Sequence, residues 1–176
     1  MTMLSRPLAF AACAFLIGVL PASAQRSLEL DDLDALFSEE ARVEVNLQGP
    51  LLRLVAEASR AEEPEFAAMV DAMRGIFVRQ YALSTARSGV STRVRDMARS
   101  LESSGWQTLV RVREDDEDIF IYLLPDGDII DGLVVMALNS TDDEATFVTF
   151  EGRIDPEQIG RLGARFNIDA LERAGG

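Results

Sequence analysis

The chain has 176 residues, and its 17 basic side chains are all Arg, set against 30 Asp and Glu. Because the sequence contains no Lys and no His, it excludes a lysine P-loop, a lysine Schiff base, a histidine general base and every histidine metal ligand. The net charge of -13 disfavours nucleic acid as a partner, because phosphates would be repelled, and favours neutral or basic partners or divalent cations.

The first 24 residues have the pattern of a secretory signal peptide. Arg6 is the only charged residue before an apolar segment, 8–20, which is shorter than the roughly 20 residues that span a bilayer. Small residues follow, and cleavage is predicted after Ala24. A lipoprotein signal at Cys13 and a retained anchor are the alternatives. Cleavage predicts a periplasmic or secreted protein without a transmembrane segment and without Cys.

The rest of the chain is predicted to hold one domain. An acidic N-terminal arm (25–42) precedes a single α+β domain (43–168), and a short tail (169–176) ends the chain. Within the domain no stretch rich in Ser, Gly or Pro marks a linker, and no segment repeats.

The first half of the domain is predicted to be mainly helical. Alternating apolar and polar residues predict a strand over 43–47, and apolar residues at helical spacing predict a helix over 50–61. The inward-facing stripe predicted for this helix consists of Leu51, Leu54, Val55 and Ala58. A second helix is predicted from Pro64 to Gly75, followed by a short strand from Ile76, a polar loop and a third helix from Val90 to about Gly105.

From Trp106 the apolar period changes to two, which predicts a run of antiparallel strands. The predicted strands cover 106–113, 119–124, 133–138 and 145–151, and a final helix is predicted from Asp155. In the first of these strands, one face is predicted to hold Trp106, Thr108, Val110 and Val112. The order predicts an α+β fold whose antiparallel sheet ends in a four-strand meander, with the helices packed on one face.

Several segments of the second half resemble the bacterial domain-of-unknown-function 4252 family (DUF4252). They are Trp106, the Arg-Val-Arg strand at 111–113, and the segments 119–122, 129–135 and 147–159. The most specific part is 151–162, where a strand ending Glu-Gly-Arg-Ile runs into an Asp-Pro-Glu-Gln helix start. The resemblance implies an exported envelope protein, and it brings no catalytic residue with it.

Two groups of acids are candidate calcium ligands, because hard cations bind clustered carboxylates. The acidic run 114–118 is better explained as a solvated hairpin turn. Asp126, Asp128 and Asp131 with Gly127 have the wrong spacing for a calcium loop, since Ala137 stands where the bidentate Glu is required.

Two further features suggest charged contacts. Asp131 begins a strongly apolar strand, where an unpaired carboxylate would be costly, so it is predicted to pair with Arg111 or Arg113. A basic helix face is formed by Arg93, Arg95 and Arg99, with Arg87 nearby. It is predicted to be a solvated face, with docking of an acidic partner or of lipid headgroups as the alternative.

No catalytic, cofactor-binding or metal-ligating residue is assigned from the sequence. The function predicted by elimination is a non-enzymatic binding or interaction module of the bacterial cell envelope, presenting a sheet edge or a groove to an envelope protein or other envelope component. The alternatives are a carboxylate-dependent hydrolase acting on an envelope polymer and a module stabilised by calcium. The oligomeric state is left open.

Overall fold

The computed structural model describes residues 31–155, which form an antiparallel sheet and four helices. The helices are α1 (Asp31–Asp34), α2 (Pro50–Ser59), α3 (Pro64–Asp71) and α4 (Val90–Ser103). The strands are β1 (Val43–Gln48), β2 (Met73–Ala82), β3 (Gln107–Arg113), β4 (Glu117–Asp126), β5 (Ile129–Asn139) and β6 (Glu144–Ile154). A 3-10 turn at Leu83–Thr85 follows β2.

The strands lie in the order β1-β2-β6-β5-β4-β3, and every neighbouring pair is antiparallel. Because β3, β4, β5 and β6 are consecutive both in the chain and in the sheet, they form the predicted meander. β6 also pairs with β2, which joins the N-terminal pair of strands to the same sheet. The α+β class, the single domain and the C-terminal antiparallel meander are therefore confirmed.

The helices cover both faces of the sheet. On β4, Ile121 lies in a core cluster with Val70 of α3, whereas the next residue, Tyr122, lies in a second cluster with Val94 and Ala98 of α4. The expected packing of the helices on one face is thus corrected, since α2 and α3 cover one face and α4 the other. The physical reason is that the central strands are apolar on both sides, and each side has to be removed from water.

The described part of the acidic arm is packed into the domain. Leu33 and Phe37 are fully or almost fully buried in the α4-side cluster. The Phe37 ring stacks on that of Tyr81, with centroids 4.1 Å apart. The Tyr81 hydroxyl group donates a hydrogen bond to Asp34 Oδ1 at 2.5 Å. The packed structure therefore begins before residue 43.

β2 is longer than predicted. The second helix was expected to run to Gly75, but α3 ends at Asp71 and β2 begins at Met73. Gly75 lies inside the strand, where the ring of Phe77 occupies the space beside its Cα, and Phe77 Cε2 would lie 2.6 Å from an added Cβ. The glycine therefore admits an aromatic ring instead of ending a helix.

The predicted face of β3 is wrong because the strand contains a bulge. The pairing with β4 shifts between Thr108 and Val110, which leaves Leu109 as an extra residue. Trp106 is consequently buried on the α4 side, while Val110 and Val112 pack on the α2–α3 side. One extra residue reverses the alternation of side chains along the strand.

Three predicted segments lie outside the described residues. They are the leader (1–24), the helix expected after Asp155 and the tail (169–176).

Candidate interaction surface

The outer face of α2 carries apolar side chains that were predicted to face the core. Leu51 and Leu54 are 50% and 65% exposed, and Ala58 is exposed as well. These three residues, spaced three and four apart, lie along one side of the helix and are called here the outer stripe of α2. The prediction that they face inward is wrong.

The residues of α2 that do face the core are Leu52 and Ala56, which are buried, and Val55, which packs partly against them. The helix is therefore apolar on two sides, and only one of them is needed for its packing on the sheet. Sequence reasoning found the apolar residues of α2 but chose the wrong side. The available signal was the number of apolar residues, which exceeds what one buried stripe requires.

Local contacts fix the position of α2. Gly49, with a φ of 48°, turns the chain sharply after β1, and Pro50 opens the helix. Near the other end, Arg60 donates to Glu57 Oε2 at 3.1 Å and to Asp71 Oδ2 at 3.0 Å. The second ion pair links the end of α2 to the end of α3. The outer stripe therefore lies on a helix that is tied to its neighbour.

β1, an edge strand of the described sheet, lies directly before α2. It pairs with β2 in unbroken register, from Val43 opposite Gln80 to Gln48 opposite Gly75. Its single acid, Glu44, is held by Arg79, with Nη2 and Oε1 2.9 Å apart. It has no bulge and no proline, and its one charge is paired, so β1 lacks several of the features that commonly keep an edge from pairing.

The opposite edge, β3, is protected. It contains the bulge at Leu109 and carries Arg111 and Arg113. Both guanidinium groups lie about 6 Å from the ring of Phe120, at 6.0 Å and 5.7 Å from its centroid. Bulges and charged side chains discourage the addition of a strand, so the two edges differ in kind.

Asp131 pairs with an arginine, as predicted, but with a different one. Arg74 Nη1 on β2 donates to Asp131 Oδ1 at 2.8 Å, and this hydrogen bond raises the pKa of Arg74. The expected partners, Arg111 and Arg113, are on the far edge strand. Asp131 is the extra residue of a bulge in β5, because Ile130 and Gly132 are the residues that find partners on β4 and β6. The pair accounts for the carboxylate structurally.

The other acidic candidates lie in turns and at the ends of β4, and the turn predicted over 114–118 is shorter than expected because Glu117 and Asp118 already pair with β5. Residues 114–116 form the exposed turn between β3 and β4, where Thr141 Oγ1 donates to Asp116 Oδ2 at 2.9 Å. Asp126 ends β4 and Asp128 lies in the next turn. Within residues 31–155, no group of three or more acids or thiols is placed to hold a metal ion.

Glu102, at the end of α4, belongs to a polar network with three other side chains, the first of which is Thr108, whose hydroxyl group donates to Glu102 Oε1 at 3.3 Å. The hydroxyl group of Tyr122 donates to Glu102 Oε1 at 3.1 Å and accepts from Arg111 Nη2, also at 3.1 Å. Arg111 also pairs with Glu102 directly. The hydrogen bond from Tyr122, followed by those from Arg111, lowers the pKa of Glu102. The network ties α4 to β3 and β4.

Two of the four arginines of the predicted basic face make local contacts. Arg87 donates from Nε to a backbone oxygen of the N-terminal arm at 3.2 Å. Arg99 pairs with Asp96 one turn earlier on α4. Arg93 and Arg95 make no ion pair within the part of the chain that the structure describes. Two arginines on a helix surface form no dedicated anion site.

Asp143, in the turn between β5 and β6, also accepts hydrogen bonds. The backbone N–H of Ser84 lies 2.5 Å from Oδ1, and the hydroxyl group of Ser84 and Arg42 Nη2 approach Oδ2 at 3.0 Å and 3.1 Å. These donors, the N–H first, lower the pKa of Asp143. A general acid needs a raised pKa, so neither Asp143 nor Glu102 is suited to the general-acid role that one carboxylate of a paired-carboxylate hydrolase has to fill.

Of the helices described, none is long and apolar enough to cross a lipid bilayer.

The family model for a domain of unknown function, DUF4252, matches residues 37–162. The chain belongs to this family. The DUF4252 match contains all six strands and the outer stripe of α2, so the candidate surface is part of the family domain. No curated protein and no solved structure matches the chain.

Proposed function

We propose that the protein is an exported, non-enzymatic component of the bacterial cell envelope that binds a partner protein there through the outer stripe of α2. The observation that carries this proposal is the exposure of Leu51 and Leu54. Removing their apolar surface from water on binding a partner contributes about 25 cal/mol of favourable free energy per Å². The signal-like pattern of residues 1–24 supports export.

Charge defines the partner further. The whole chain has a net charge of -13, while the exposed charges beside the stripe are Arg53, Glu57 with its partner Arg60, and Glu62. A complementary surface therefore has an apolar centre, to cover the two leucines, and a neutral or basic rim. The alternative function, hydrolysis of an envelope polymer by paired carboxylates, has no supporting observation among the described acids.

Affinity capture from crosslinked envelope extract tests this proposal. The tagged protein is expressed from the full-length chain, as wild type and as the double variant Leu51→Gln/Leu54→Gln. The matched control is Leu109→Gln, because Leu109 is also a large apolar residue, 38% exposed, but lies on the opposite edge of the sheet. Thermal unfolding confirms that each variant is folded.

We expect one or more envelope proteins to be retained by the wild type and by Leu109→Gln and to be lost with the double variant. A loss of about tenfold or more corresponds to removing two apolar contacts from the centre of an interface. Equal retention by all three forms, or no retention beyond a charge-matched unrelated protein, would refute the proposal.

A further inference from the structure

We infer that two copies of the chain associate by pairing their β1 strands, which joins the two sheets into one continuous sheet. The first argument is the difference between the edges. β1 is regular and β3 is bulged and arginine-bearing, so one edge accepts a strand and the other resists it. Pairing through β1 therefore stops at two copies and leaves β3 at both ends of the joined sheet.

The second argument is the side-chain pattern of β1. In an antiparallel pair related by a two-fold axis, the α2 side of one copy continues the α2 side of the other, so residues opposite each other must belong to the same face. Pairing centred on Val45 satisfies this condition. It sets Val43 opposite Leu47 of the second copy, and Val45 opposite its equivalent. Val43, which is 40% exposed, would thereby be partly covered by Leu47 of the second copy.

The third argument is charge. With a net charge of -13, two copies repel each other unless the contact surface itself is nearly neutral. In this register Glu44 lies directly opposite Asn46 of the second copy, and the two Glu44 residues are only diagonal neighbours on the same face. Arg79 already holds the Glu44 carboxylate at 2.9 Å. Residues 43–54 contain one acid, Glu44, and one base, Arg53.

Changing the charge of Asn46 tests the pairing, because Asn46 is exposed and each change acts twice in a symmetric dimer. The protein, expressed from the full-length chain, is compared with Asn46→Glu and Asn46→Arg by sedimentation equilibrium at low salt. The matched controls are Gln107→Glu and Gln107→Arg, which change the net charge equally at an exposed position of the opposite edge strand.

We expect a dimer whose dissociation constant rises about tenfold with Asn46→Glu, falls severalfold with Asn46→Arg and stays within about twofold with the Gln107 variants. A monomer at every concentration, a polymer growing beyond two copies, or a dimer that responds equally at both positions would overturn the inference. The experiment measures mass alone, so its outcome is independent of whether an envelope partner binds to α2.

Discussion

Tyr81 shows how a single side chain connects the N-terminal arm to the sheet. Its ring is fully buried, stacks on Phe37 and meets the edge of Phe147 with centroids 6.2 Å apart. Burial, together with the hydrogen bond to Asp34, raises the pKa of the phenol above its ordinary value. A phenol that holds its proton more tightly when folded stabilises the folded state below about pH 10, and this stabilisation is lost as the pH rises further.

We therefore expect Tyr81→Phe to lower the free energy of unfolding by about 1 kcal/mol at neutral pH, because the hydrogen bond to Asp34 is lost. Above about pH 10 the wild type should lose stability faster than the variant, which has no phenol at this position. Denaturant unfolding at a series of pH values, followed by the fluorescence of Trp106, measures both effects. Parallel alkaline declines in the two proteins would contradict this account of Tyr81.

Among the strands, β6 depends on a glycine near its end. Gly152 has a φ of 123°, and a Cβ placed on it would lie 2.6 Å from Met73 Cα and 2.8 Å from the Ala72 carbonyl oxygen. The backbone of β6 thus approaches the start of β2 more closely than any side chain permits. This contact occurs where the pairing of the two strands shifts its register.

Replacing Gly152 by Ala should cost about 3 kcal/mol of unfolding free energy, from the unfavourable φ together with the backbone clash. Gly127, in the turn between β4 and β5, is the matched control, since it has a φ of 64° but nothing within 4 Å of an added Cβ. Gly127→Ala should cost only about 1 kcal/mol. Equal losses in chemical denaturation would mean that the close contact at Gly152 does not matter.

At this scale the sequence predicts where most elements lie, and it predicts their contacts less well. The start of α2 and the turn at Gly127 are locally encoded by Pro50 and Gly127, so they could be placed. The inward side of α2 could not, because Leu51 and Leu52 are equally apolar. Only the packing of α2 on the sheet distinguishes them.

Long-range register limited the prediction in the same way. Asp131 could be seen to need a cation, but the pairing of β6 between β2 and β5 brings Arg74 to it, and no local pattern reveals that neighbour. The bulge at Leu109 was equally hidden, since an unbroken alternation and a shifted one read alike until the partner strand is known. The candidate surface depends on the packing of α2 and on the regular edge of β1, and neither can be recognised from a local sequence pattern.

For the whole molecule, the excess of 30 acids over 17 arginines creates repulsion that the folded state concentrates. We expect the melting temperature to rise as sodium chloride is added to a low-salt buffer, with most of the gain below about 0.15 M, where the Debye length falls to about 8 Å. Calorimetry at fixed protein concentration measures this. A melting temperature that falls over the same range would show that attractive ion pairs, such as Arg74 with Asp131, outweigh the repulsion.

The position of β6 between β2 and β5 also determines when the sheet can be completed during synthesis. β2 has β1 as a neighbour early in synthesis, but it meets its second neighbour only when β6 has been made. Ile76 of β2 is paired across the strands with Phe150 of β6, so it has no partner on that side until β6 has been made. Until then the strands cannot join into one sheet, and their edges remain unpaired. Under the export that we propose, the chain threads a membrane pore before it folds, and this delay keeps its N-terminal half from finishing its sheet while the remainder is still being made.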